Sequence, residues 1–156
     1  MVSQRVSVNG QRGFTLAELM VVIAVIGILA VVGAPLFLSY LQASQTRGAA
    51  QEVATLLHRA RQMAIANNTS YRVEVDVAGN RLRFVRTSDN TPWIGPGTDS
   101  QGYRRLENEA RLMTPTANPT FNPLGTAGGG TIPVQNSPGT STLSVVVSSS
   151  GRIRIQ

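Results

Sequence analysis

Two places in this chain set chemically capable residues at telling spacings. The first is Glu18, a lone carboxylate standing one residue before Leu19–Leu38, a run of twenty residues with no charge, amide or hydroxyl. An ionisable group at the mouth of so long an apolar stretch is costly to keep, which points to a task for it. The plain alternative is that Glu18 marks the water-side end of a membrane anchor. The second place is Gly151-Arg152-Ile153-Arg154-Ile155. In an extended strand the two isoleucines face one way and the two arginines the other, with the guanidiniums ~7 Å apart. Such a pair suits successive phosphates, which arginine grips with its planar fork. Its plain alternative is a solvated face on an edge strand, where charge discourages sheet-to-sheet association.

Charge bears on that choice. All 14 basic residues are arginine, against 8 acids. Arg5 and Arg12 lie in the first thirteen residues, and without them the chain stays basic, as an electrostatic binder of nucleic acid needs to be. Arg104 and Arg105 extend such a patch, although Glu107 and Glu109 lie close by. Other chemistry finds little material. His58 is the one histidine and sits in a helical pattern beside Arg59, a solvated or partly packed position rather than that of a catalytic base. With no cysteine there is no thiol nucleophile or disulfide scaffold, and one histidine cannot build a zinc cluster. Glu74 and Asp76 alternate with valines and read as strand-surface acids. Gly128-Gly129-Gly130 lacks the lysine and helix context of a phosphate-binding loop. Trp93, in a Pro/Gly-rich stretch, either contacts a partner or plugs a small core. The pattern is not that of an enzyme, and no cofactor, metal or small-molecule substrate is expected.

The elements that must position these residues follow from periodicity. Twenty apolar residues match the length a helix needs to cross ~30 Å of hydrocarbon. Arg5 and Arg12 precede the span and only Arg47 closely follows it, so the N-terminal side is expected in the cytoplasm and the remainder exported. The helix should continue through Pro35, which removes one helical hydrogen bond and should kink or loosen it, to about Ala66. Val53, Leu56, Leu57, Ala60, Met63 and Ala64 form one apolar stripe to lay against a sheet. Asn67-Asn68 is the expected stop. The period then becomes two. Tyr71, Val73, Val75 and Val77 alternate with Arg72, Glu74 and Asp76, and after a turn at Ala78-Gly79-Asn80 the strand Leu82–Val85 returns. Its neighbours Arg81 and Arg83 should face the acids of the first strand. Residues 87–103 read as a surface loop, 104–113 as a further strand, and residues 126–140 as a Gly- and Ser-rich connection. Leu143–Val147 and Ile153–Ile155 close the chain.

The order Gly13-Phe14-Thr15-Leu16-x-Glu18, followed directly by an apolar helix, resembles the processing site of type IV pilins and pseudopilins. The leader before it is short, polar and without an apolar region of its own, unlike an ordinary secretory signal. Gly27 and Pro35 fall where pilin helices commonly carry a glycine and a kinking proline. The resemblance implies that prepilin peptidase cuts between Gly13 and Phe14, that Phe14 becomes the methylated N-terminus, and that the helix is kept. It also implies that Glu18 pairs with the Phe14 amine of a neighbouring subunit, fixing the axial register of one helix on the next. Phe121-x-Pro123-x-Gly125 and the closing Gly-Arg strand resemble the GspH/FimT branch of minor pilins and pseudopilins, thought to act at or near a filament tip. Gly-Arg-x-Arg further resembles the motif of DNA-binding FimT-type pilins of natural transformation.

The expected fold is therefore α+β and type IV pilin-like: residues 1–13 a leader, 14–66 a long helix with 19–38 in the membrane, and 67–156 a small antiparallel β domain. The expected partners are other pilin subunits, prepilin peptidase, the inner membrane before assembly and, on the second reading, double-stranded DNA. The first function is a filament subunit of a type IV pilus or type II secretion system. The second adds DNA capture through Arg152 and Arg154. The third, a single-span anchored domain unrelated to filaments, requires an intact Gly13–Phe14 bond, which N-terminal sequencing would detect.

Overall fold

The computed structural model describes residues 13–107 and 110–156. The expected leader up to Arg12, with Arg5, and the acid Glu109 lie outside the described residues. One helix, α1 (Leu16–Ala66), carries the N-terminal half of the expected design. Two compact units share it, the first ending at Ser39 and the second running Tyr40–Gln156. In the first unit every described residue is exposed, including Leu19, Ile26, Leu29 and Phe37. Apart from the carbonyl that Pro35 leaves without its helical N–H, a helix pairs its backbone internally, as a segment in lipid must, and α1 is long and apolar enough to cross a membrane. α1 continues unbroken through Pro35, and beyond it Ser39 Oγ donates 2.9 Å to the carbonyl of Leu36.

In the second unit the expected stripe is the buried one. Ala49, Ala50, Val53, Leu56, Leu57, Ala60 and Ala64 are buried, and Met63 packs at the edge of the same cluster. The stop also falls where expected. Asn68 adopts φ 47°, Thr69 N donates to the carbonyl of Ala64 and Asn68 N to that of Ile65. This crossed pair satisfies the last carbonyls of the helix around a left-handed residue that asparagine tolerates.

The β domain resolves into two antiparallel sheets. In chain order the strands are β1 (Tyr71–Asp76), β2 (Arg81–Arg86), β3 (Thr91–Pro92), β4 (Tyr103–Arg105), β5 (Arg111–Leu112), β6 (Thr120–Phe121), β7 (Ala127–Gly128), β8 (Gly130–Gln135), β9 (Thr142–Val147) and β10 (Ile153–Ile155). The first sheet runs β3-β2-β1-β6-β7 with β4 also on β2, and the second runs β10-β9-β8-β5. β1 and β2 pair from Tyr71↔Arg86 to Asp76↔Arg81, so the expected hairpin and its register hold.

Three expectations are corrected. Residues 104–113 are not one strand: β4 joins the first sheet and β5 the second, because the segment between crosses from one sheet to the other. The stretch read as a Gly- and Ser-rich connection contains β8, a six-residue strand at the centre of the second sheet with Ile132 and Val134 turned into the core. Residues 87–103 are not all loop, since β3 and the start of β4 lie within them. Trp93 takes the packing role of its two alternatives: it is half-buried against the core, 6.1 Å from the Phe84 ring.

Candidate functional site

The helix mouth is built by its own first turn. Thr15 Oγ1 accepts the Glu18 N–H at 3.2 Å, while Glu18 Oε2 accepts the Thr15 N–H at 3.2 Å and the Thr15 hydroxyl at 3.3 Å. This reciprocal cap satisfies donors that a helix otherwise leaves orphaned at its start. Sequence reasoning passed over it, although Thr-x-x-Glu is the signature of that arrangement. Glu18 thus has a local role in the single subunit in addition to any it has toward a neighbour. Phe14 stands beside it, 85% exposed, directly after Gly13.

The expected strand-surface acids are paired. Glu74 meets Arg83 at 2.9 Å across the hairpin and Arg72 at 2.7 Å on its own strand. Asp76 meets Arg81 at 2.8 Å, and Arg81 reaches Asp99 at 3.2 Å. Arg81 and Arg83 both lie over the ring of Tyr103, at 4.1 and 4.6 Å from its centroid. Partial burial pushes the Glu74 carboxyl up, but hydrogen bonds from Arg72 and Arg83 outweigh it and hold the group below its ordinary value. The Arg81 hydrogen bond does the same for Asp76. This face of the first sheet is a ladder of charges that neutralise one another. Arg104 adds a looser contact, 3.8 Å from Glu107, so the extension of a basic patch through Arg104 is partly cancelled. His58 is exposed on α1, and Arg59 beside it lies 4.6 Å over the Trp93 ring.

The closing arginines are different. Arg152 and Arg154 are exposed and have no ion-pair partner among the described residues. They line one shallow concavity of about 400 Å³ with Val146, Ser148, Ser150 and Gln156, while Ile153 packs on the core. The alternation read from the sequence therefore places both guanidiniums on one face. Arg152 stands in the turn before β10, and that turn is tied by its own hydrogen bonds. Ser148 N donates to the Arg152 carbonyl and Gly151 N to the Ser148 carbonyl, each at 2.9 Å, and Arg152 N donates 3.2 Å to Ser148 Oγ. Ser148 Oγ and Ser150 Oγ lie 2.9 Å apart. Chemically this is a small cationic shelf edged with hydroxyls, suited to oxyanions.

The Phe121–Gly125 segment and Gly151 meet. Gly125 and Gly151 have φ 78° and 76°, and a Cβ on Gly151 would collide with the carbonyl oxygen of Gly125. Gly151 is needed because the two turns touch backbone to backbone there, and Gly125 because its left-handed φ strains any residue with a Cβ.

Comparison with known proteins agrees with this architecture. Residues 49–151 match the family model of type II transport protein GspH, and residues 8–34 match the prokaryotic N-terminal methylation motif. A type IV major alpha-pilin of Moraxella bovis is 52% identical over 46 residues, 30% of this chain and 29% of that protein. A fimbrial protein of Pseudomonas aeruginosa is 46% identical over 48 residues, 31% of each chain. The match thus spans less than a third of the length of these curated relatives. Among solved structures, the minor pseudopilin EpsH of the Vibrio cholerae type 2 secretion system superposes with a TM-score of 0.55 at 18% identity, covering 72% of this chain and 96% of that one. The type IV minor pilin FimU of Pseudomonas aeruginosa gives 0.52 at 16% identity, covering 75% and 92%. With a long helix packed on antiparallel sheets and the GspH pattern running from α1 to Gly151, this chain belongs to the GspH family of pilin-like proteins.

Proposed function

We propose that this protein is a minor pilin or pseudopilin, a filament subunit of a type IV pilus or type II secretion system that acts in assembly at or near the tip. The observation that carries this reading is the exposed apolar half of α1 directly behind Gly13-Phe14 and Glu18. Twenty apolar residues that no other described residue covers need lipid first and sister helices afterwards. In this reading prepilin peptidase cuts after Gly13, Phe14 becomes the methylated N-terminus, and the domain from Tyr40 onward is exported. Glu18 then exchanges its contact with Thr15 for the Phe14 amine of a neighbour, which sets register. The test is Glu18→Ala in the native host. The variant should reach the membrane and be processed at Gly13–Phe14, yet be missing from sheared filaments. Its normal recovery with filaments would sink the proposal, and an uncut Gly13–Phe14 bond in the wild type would favour a plain membrane-anchored domain.

A second reading has its own observation. Five arginines among the described residues are matched by carboxylates, but Arg152 and Arg154 share a face with none. An unmatched guanidinium pair on one concave face favours binding to the phosphates of double-stranded DNA, with little base preference and a steep salt dependence. The test is duplex binding by the detergent-solubilised full-length protein. Arg152→Ala with Arg154→Ala should abolish a shift seen at low salt, and an unchanged shift would return both residues to a solvated strand face.

A further inference from the structure

Arg61 is a half-buried guanidinium on α1 whose use neither reading explains. It has no carboxylate partner among the described residues. Its Nε donates 2.8 Å to the carbonyl of Gly125, sixty-four residues away in sequence. Its Nη2 and the Ile65 side chain each lie 3.2 Å from where a Cβ of Gly125 would stand, and its Nε lies 3.1 Å from where a Cβ of Gly151 would stand. The same Gly125 oxygen abuts Gly151, and Ala127 N donates 3.0 Å to the Ser149 carbonyl. Three segments therefore meet at one carbonyl: α1 through Arg61, the β6–β7 turn through Gly125, and the β9–β10 turn through Gly151. Arg152 is the next residue out.

We propose that Arg61 is the positioning residue of the arginine shelf, seating the β9–β10 turn on α1 so that Arg152 projects beside Arg154. The proposal rests on the DNA reading above. Arg61 does not line the concavity that Arg152 and Arg154 share, so it acts through the turn rather than on the ligand. Its charge strengthens the hydrogen bond to Gly125, and its Nε donor supplies the geometry. A guanidinium contact of this kind spans the junction in one step, where a shorter side chain would leave the Gly125 carbonyl without its helix partner.

The experiment follows from the shape of the side chain. The amide nitrogen of glutamine falls at the place of arginine Nε, so Arg61→Gln keeps the donor and removes the charge. Arg61→Met keeps the stem and removes both. Binding of a 20-base-pair duplex to the full-length protein in detergent is followed by fluorescence anisotropy over a salt series, with the melting temperature of each variant recorded. Arg61→Gln should bind close to wild type, while Arg61→Met should weaken binding about tenfold and reduce the salt slope by about 1, as loss of one phosphate contact would. Arg61→Met with Arg152→Ala should bind no more weakly than Arg152→Ala alone, since both changes remove the same contact. Equal losses for the Gln and Met variants overturn the proposal and make Arg61 a direct charge on the ligand. Additive losses in the double variant overturn it as well, and so does unchanged binding by Arg61→Met. Should the Met variant melt below the assay temperature, Arg61→Gln decides alone, a tenfold loss in it being fatal. No binding by wild type overturns this proposal and the DNA reading together, whereas wild-type binding with the failures above overturns this proposal only.

Discussion

Glu74 and Arg83 face each other across the β1–β2 hairpin, 2.9 Å apart, with Arg72 closing on the same carboxylate from its own strand at 2.7 Å. The arrangement predicts how stability follows pH. Glu74, Asp76, Asp89 and Asp99 all sit below their ordinary values. For Asp89 and Asp99 the chief cause is a backbone N–H, from Thr91 and Tyr103 respectively. A depressed carboxyl means that the unfolded chain binds more protons than the folded one as pH falls. The stabilisation is therefore fully present above the ordinary carboxylate range, near pH 4, and is lost as pH drops through the lower folded values. Melting temperature should hold level from pH 8 to 5 and fall below about 4. Glu74→Gln should cost about 1 kcal/mol at pH 7 and flatten the acid limb. A limb equally steep in that variant would show that the ladder does not set the acid response.

Gly151→Ala tests the contact between the two turns. The residue has φ 76°, and an added Cβ would strike the Gly125 carbonyl, a backbone atom with little room to yield. Strain at a left-handed non-glycine residue costs about 1–3 kcal/mol before the collision is counted. Melting temperature should fall by at least about 5 °C, more than for Gly129→Ala, where the nearest atom to a new Cβ is the Val147 carbonyl at 3.3 Å. Equal melting of the two variants would remove the claim that the turns are locked backbone to backbone.

These predictions divide between what the sequence displayed and what it concealed. The helix from the apolar run to Ala66 was legible because a single face repeats through Val53, Leu57, Ala60 and Ala64, and an asparagine pair ends it. The first hairpin was legible because Tyr71, Val73 and Val75 alternate with charged residues and the register follows from the turn. β8 stayed hidden, since Gly128-Gly129-Gly130 runs into its first residue and Pro133 interrupts it, and both residue types argue locally against a central strand. Its one usable signal was the pair Ile132 and Val134. The shared face of Arg152 and Arg154 followed from strand alternation, but the role of Arg61 could not, because its partner is a backbone carbonyl that only the tertiary fold brings near. Local side-chain contacts to the main chain, such as the Thr15–Glu18 cap, have a spacing to read, but one made sixty-four residues away has none.

Asn80 offers a similar case. It holds φ 50° in the β1–β2 turn, and its amide donates 2.8 Å to the Ala110 carbonyl while its oxygen accepts the Leu112 N–H at 2.7 Å. One turn residue thus binds both ends of a backbone stretch that enters the second sheet. Asn80→Gly keeps the backbone freedom and loses only the two hydrogen bonds. Asn80→Ala loses the bonds and adds a Cβ in the left-handed region, which costs a further 1–2 kcal/mol or so. Denaturant midpoints should rank wild type above Gly above Ala. If Gly matched wild type, the two hydrogen bonds would contribute nothing net and the turn conformation alone would matter.

The helix mouth allows the local role of Glu18 to be separated from its role toward a neighbour. Thr15→Ala removes the hydroxyl that accepts the Glu18 N–H and leaves the Glu18 carboxylate in place. Loss of such a cap is worth about 1 kcal/mol, so amide exchange at Glu18 in detergent should speed up about fivefold. Thr15→Ser, which keeps the hydroxyl, should leave exchange unchanged. Filament entry depends on the carboxylate in the proposed mechanism, so Thr15→Ala should still assemble where Glu18→Ala does not. Failure of both variants to assemble, each with normal membrane insertion and processing, would mean that the ordered first turn is what a neighbouring subunit recognises. Glu18 would then act through the helix it caps rather than through the charge it carries.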